Sequence, residues 1–198
     1  MKKTAKYITR LCIVAIFLSV GTYAFAAPSS WTVQPDTSLL NNQITSLTMT
    51  NSGSVIDFTM TLLAGAPAVN GKTYSVYFAN AKDVFNDSVY FQYIDTSINK
   101  AGTKATGTLN SDVATVLLSP VMDKAKTTLS WSVNRADMLY DNFYFGGLIT
   151  TTANNVTTQI GRTEIVSANI TQTPIPGAAW LLTSGLVGIV GVRRMKRV

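Results

Sequence analysis

The chain offers few side chains that could run a reaction. Its 198 residues include no histidine, and its one cysteine is Cys12. Beyond residue 26, neither imidazole nor thiolate is present as a general base, a nucleophile or a transition-metal ligand. What remains is carboxylate chemistry. Of the ten acidic residues, Glu164 is the only glutamate. Glycoside hydrolysis normally uses two placed carboxyl groups, one of them held protonated. Asp83 with Asp87, and Asp137 with Asp141, are spaced by four. That spacing aligns side chains on a helix, and both pairs lie in segments that read as loops. Turn capping is the expectation for them. No catalytic residue is assigned, no cofactor is implied, and the chain reads as a non-enzyme.

Asp95 and Asn99 are the one metal candidate. They sit in Tyr93-Ile94-Asp95-Thr96-Ser97-Ile98-Asn99 and could point oxygens at Ca²⁺. Calcium takes six to eight oxygens, and one carboxylate supplies few. A strand running into a turn explains the segment more simply.

Aromatic side chains are more suggestive. Tyr74, Val76 and Phe78 alternate with Tyr77; Val89, Phe91 and Tyr93 alternate with Tyr90; Phe143 and Phe145 flank Tyr144. Each run has an expected core face and a leftover tyrosine. If the three strands are neighbours, Tyr77, Tyr90 and Tyr144 form a ligand platform, since rings with a polar tip suit sugar or protein contacts.

Strands must position these residues. The region 27–172 is rich in Thr, Ser, Asn, Val and aromatics, a composition that favours strands. In Val55–Leu63, Ile56, Phe58, Met60 and Leu62 alternate with mostly polar residues; in Thr128–Asn134, Leu129, Trp131 and Val133 do so. Period two marks a half-buried antiparallel strand. Further strands are expected at 44–50, 73–79, 89–95, 105–109, 113–119, 142–151, 156–160 and 163–171. Turn signals separate them, among them Asn51-Ser52-Gly53, Asn70-Gly71 as a hairpin, and Asn154-Asn155. The expectation is an all-β antiparallel sandwich of eight to ten strands over 27–172. About 150 residues without disulfides can bury a sufficient core as one domain.

Both ends are targeting segments. Lys2, Lys3, Lys6 and Arg10 precede an apolar run from Leu11 to Val20, and Ala24-Phe25-Ala26 follows. This is a signal peptide, 1–26, with cleavage set by Ala24 and Ala26. At the other end, 173–198, Pro174-Ile175-Pro176 precedes an apolar helix at 177–192 and a basic end at 193–197. Sixteen helical residues rise roughly 24 Å, short against a hydrocarbon core of about 30 Å. The basic end would keep its side in the cytoplasm. Eight of the 16 Lys and Arg lie in these two ends, and none of the ten acidic residues does. Eight positive against ten negative charges remain between them, net about −2, so the overall +6 does not argue for nucleic acid as a partner.

The tail resembles the PEP-CTERM sorting signal on Pro174-Ile175-Pro176, Ala178 to Leu182, Ser184-Gly185-Leu186, Gly188, Gly191 and Arg193-Arg194. Ile175 departs from the family's glutamate, and the resemblance covers about an eighth of the chain. It implies an exosortase as processing partner, a membrane intermediate held by the C-terminal helix, and delivery to the surface or matrix of a Gram-negative bacterium. It also implies association with exopolysaccharide or biofilm. The expected function is an exported, non-enzymatic envelope or matrix protein. The alternatives are a carbohydrate-binding module using the tyrosine face, and a permanently anchored single-pass protein.

Overall fold

Period-two sequences build the structure, a computed structural model that describes residues 29–85 and 90–171. The expected signal peptide, Asp87, Val89 and the entire tail, including its expected helix, lie outside the described residues.

Twelve strands are present among the described residues: β1 Ser29–Val33, β2 Ile44–Asn51, β3 Val55–Leu62, β4 Lys72–Ala79, β5 Tyr90–Ile98, β6 Ala105–Ser111, β7 Thr115–Leu118, β8 Val121–Met122, β9 Thr128–Asn134, β10 Asn142–Ala153, β11 Val156–Arg162 and β12 Val166–Asn169. All pairings are antiparallel. The first sheet has the order β1-β2-β3-β9-β8; the second runs β11-β10-β4-β5-β6-β7, with β12 also on β10. Eight to ten strands was an undercount. The two additional strands are short: β1 has five residues and β8 has two.

The alternation in β3 and β9 is inward-facing as read. Ile56, Phe58, Met60, Leu62, Leu129, Trp131 and Val133 are all buried. Phe58 of the first sheet meets Phe78 of the second edge-on at 5.4 Å between centroids, and Phe145 at 6.5 Å. Offset and edge-on ring pairs of this kind add about 0.5–1.5 kcal/mol beyond burial. The sheets are also joined by a buried polar contact: the Trp131 indole N–H donates to Thr96 Oγ1 at 2.6 Å. Gly147 lets β10 approach the first sheet, because a Cβ there would stand 3.0 Å from Met60 Cε.

The hairpin expected at Asn70-Gly71 is not one. Residues 63–71 cross from β3 in one sheet to β4 in the other. Gly71, at φ +83, makes the turn into β4, a conformation glycine adopts without steric cost. The tight hairpin is at Asn154-Asn155, where φ is 52 and 61 and Ala153 pairs with Val156. Positive φ at both central residues is the type I′ turn that matches strand twist. Asp137 lies in a single 3-10 turn, Arg135–Asp137, and Asp141 lies beyond it, ion-paired to Arg135. The two aspartates do not share a helix face.

Candidate functional site

The outward face of the second sheet collects the aromatic residues, and a bulge decides which ones. Ala79 of β4 pairs with Tyr90, but Phe78 pairs with Gln92, so β5 carries one extra residue opposite this point. The bulge reverses the alternation. Gln92, Ile94, Thr96 and Ile98 are buried. Tyr93 therefore faces outward, and the grouping of Phe91 with Tyr93 on a core face is corrected. Gln92 takes the inward place and is satisfied there: its amide donates to Asp137 O at 2.7 Å. Phe91 packs instead on Tyr140, 4.6 Å away.

Tyr77, Tyr90 and Tyr93 form a mutual cluster. Tyr77 stacks on Tyr93 at 5.7 Å and 21°, and meets Tyr90 at 5.2 Å. Tyr90 and Tyr93 are 5.3 Å apart. Phe85 joins from the β4–β5 loop, 6.1 Å from Tyr77, above Gly146, where a Cβ would come within 2.9 Å of the Phe85 ring. The Arg162 guanidinium lies 5.8 Å from the Phe85 centroid. Arg162 is held by Asp36, to which its Nε donates at 2.8 Å. All four rings are half-buried. Burial pushes the Tyr77 hydroxyl up to about 12, with the nearby Asp95 charge adding to it. The phenol is thus a neutral donor across the physiological range.

Tyr144 is set apart from this cluster. It pairs with Ala79 on one side and Ser167 on the other, so Ala79 stands between it and Tyr90. Two strand spacings amount to about 10 Å. Tyr144 instead lines a groove of about 430 Å³ with Trp31, Asn80, Asn142, Ser167 and Asn169. A second groove, about 450 Å³, lies beside the ring cluster and is lined by Thr73, Asp95, Ser97, Thr106 and Thr108.

Asp95 and Asn99 are each occupied by protein groups. Asp95 accepts from Ser75 Oγ at 2.5 Å, and burial raises its carboxyl above the ordinary aspartate value, the Ser75 hydrogen bond opposing the rise. Asn99 Oδ1 accepts the backbone N–H of Thr103 at 2.8 Å and of Lys104 at 3.1 Å, closing the β5–β6 turn. Among the described residues no group of three or more His, Cys, Asp or Glu is placed to hold a metal ion.

Sequence reasoning missed Trp31, Phe85 and the outward placement of Tyr93. Trp31 sits in a strand it did not identify. Phe85 is in a loop, where periodicity carries no signal. Tyr93 required the bulge, which nothing in a single alternating run announces.

No family model, curated protein or solved structure matches this chain.

Proposed function

We propose that the protein is an exported, non-enzymatic component of the envelope or extracellular matrix, processed at its tail by an exosortase. The order of the tail supports this reading: Pro174-Ile175-Pro176, a short apolar stretch, then Arg193 and Arg194 within a basic end. Export begins with the segment ending at Ala24 and Ala26. The route passes through an inner-membrane intermediate, and the tail is removed near Pro176. Mass spectrometry of envelope-associated and released protein tests it. The expected N-terminus is Ala27, with peptides containing Trp180 depleted. Replacing Pro174 and Pro176 by alanine leaves the apolar length unchanged, so insertion persists while cleavage stops. Full retention of Trp180 and Arg193 in the mature protein, unchanged by that substitution, would establish a permanent anchor instead.

A second reading concerns what the sandwich does once delivered: it binds carbohydrate on the outward face of the second sheet. The observation favouring it is the concentration of half-buried rings there, Tyr77, Tyr90 and Tyr93 in one cluster and Tyr144 nearby. Tyrosine combines an apolar ring with a hydrogen-bonding tip, as a sugar's apolar faces and hydroxyl rim require. Glycan-array binding by the exported protein, and its loss on Tyr→Ala substitution, tests this reading.

A further inference from the structure

The groove beside Tyr144 and the groove beside Asp95 differ in how many of their polar side chains are already hydrogen-bonded. Beside the ring cluster, Asp95 is taken by Ser75, and Ser97 and Thr106 hydrogen-bond each other at 3.3 Å. In the groove beside Tyr144, the side chains of Asn80, Asn142 and Ser167 make no hydrogen bond among the described residues, nor does the Trp31 indole N–H. The three polar side chains are exposed, and Trp31 and Tyr144 are half-buried.

The register explains how the groove forms. Asn142 and Tyr144 lie two apart on β10 and share its outward face. Each meets a polar partner on β12, Asn169 opposite Asn142 and Ser167 opposite Tyr144. Asn80 follows the last residue of β4, which pairs with Tyr144. Trp31 enters from β1 of the other sheet. Two aromatic rings thus stand among amide and hydroxyl groups. No lining residue carries a charge.

We propose that this groove is a subsite for a neutral oligosaccharide. The proposal rests on the carbohydrate-binding reading and assigns its location and ligand class. Stacking surfaces are supplied by Trp31 and Tyr144. The amides of Asn80 and Asn142 each donate and accept, which suits vicinal hydroxyls. A charged saccharide would find no countercharge among the lining residues. A volume of about 430 Å³ falls within the range of roughly 300–1,000 Å³ usual for small-ligand sites, enough for one or two sugar rings of a longer chain.

The test titrates the exported, processed protein with cellohexaose, mannohexaose and galactohexaose, and with a hexauronate as the anionic counterpart. At least one neutral hexasaccharide should bind, and the hexauronate should not. Trp31→Ala should weaken binding at least about tenfold, as truncation of a ring that anchors a ligand does. Because Trp31 also packs against the core, the exposed double variant Asn142→Ala/Ser167→Ala supplies the cleaner result: weaker binding with an unchanged melting temperature. Retained binding in that variant together with loss in Tyr93→Ala would overturn the subsite while leaving carbohydrate binding intact. Preference for the hexauronate would overturn the ligand class. No binding to any hexasaccharide would overturn both the subsite and the reading on which it rests.

Discussion

The outward faces of the two sheets both pair hydroxyls across strands, and the second also carries a cluster of rings. On the first sheet the outward positions hold small hydroxyl residues that pair with one another across strands: Ser30 with Thr50 at 3.3 Å, Thr32 with Thr48 at 3.2 Å, and Thr59 with Ser130 at 3.2 Å. Ser132 donates to Asp57 at 2.6 Å. On the second sheet the equivalent layer holds Tyr77, Tyr90, Tyr93 and Tyr144, with a groove beside Tyr144. The first face pairs most of its hydroxyls across strands. The second leaves rings half-exposed and the side chains of Asn80, Asn142 and Ser167 unpaired among the described residues. Alternation decides which residues face outward; side-chain type decides whether that face has anything left for a ligand.

The largest expected effect lies in the layer the two faces share. Trp131 is buried and donates its indole N–H across the core to Thr96. Trp131→Ala should cost about 3–5 kcal/mol in denaturant unfolding, from the lost burial and the cavity left behind. Thr96→Val removes the acceptor while roughly conserving volume, leaving the indole N–H unsatisfied at about 1–3 kcal/mol. A loss below about 1 kcal/mol for Trp131→Ala would mean that the ring does not join the sheets.

Next comes the ring cluster. Tyr77 contacts Phe85, Tyr90 and Tyr93. Tyr77→Ala should destabilise by about 1–2 kcal/mol, less than a core ring because only part of its surface is buried. An effect near zero would show that the cluster is a loose surface array, and the contrast with the hydroxyl face would rest on composition alone.

Much of this architecture was readable from alternation. Phe58 and Trp131 sit in runs where every second residue is apolar, so face and burial follow directly. Tyr77 and Tyr144 were placed outward by the same logic. Tyr93 was not, because its side depends on the extra residue that β5 carries opposite Phe78 and Ala79. A bulge is a property of two paired strands and is invisible in either one alone. The sheet order also separates Tyr144 from Tyr90 by a whole strand, a non-local fact. Trp31 reaches the groove from the other sheet, so no local pattern could have joined it to Asn142. Asn70-Gly71 carried the right turn chemistry but connects two sheets, because residue types specify φ and not the destination of the chain.

Two aspartates sharpen the comparison through pH. Burial raises the folded-state pKa of Asp95, on the ring-bearing sheet. The folded state then holds its proton more tightly than the unfolded chain, so stability falls as pH rises from the ordinary aspartate value through the raised one. Asp36 behaves oppositely: hydrogen bonds from Ser38 hold its carboxyl low, and Arg162 adds to this. Its contribution is present above the ordinary value and is lost as pH falls through the lowered one. Unfolding measured from pH 3 to pH 7 should therefore show Asp95→Asn gaining on wild type as pH rises, while Asp36→Asn falls behind. Parallel curves for Asp95→Asn and wild type would indicate a well-solvated carboxylate, and the groove beside the ring cluster would be more open to water than its geometry implies.

The smallest expected effect tests the quiet side of the comparison. Thr59 and Ser130 lie opposite each other on β3 and β9 and share a hydrogen bond on the outward face of the first sheet. Cross-strand hydroxyl pairs contribute about 0.2–1 kcal/mol. In a double-mutant cycle of Thr59→Ala and Ser130→Ala, the coupling should fall in that range. Each hydroxyl is already satisfied by its neighbour, and neither residue lines the groove beside Tyr144. Removing both should thus leave binding to neutral hexasaccharides unchanged. If glycan binding fell with this pair as much as with Asn142→Ala/Ser167→Ala, the hydroxyl face would itself be part of the recognition surface. The distinction between a self-satisfied face and a ligand-ready one would then be lost.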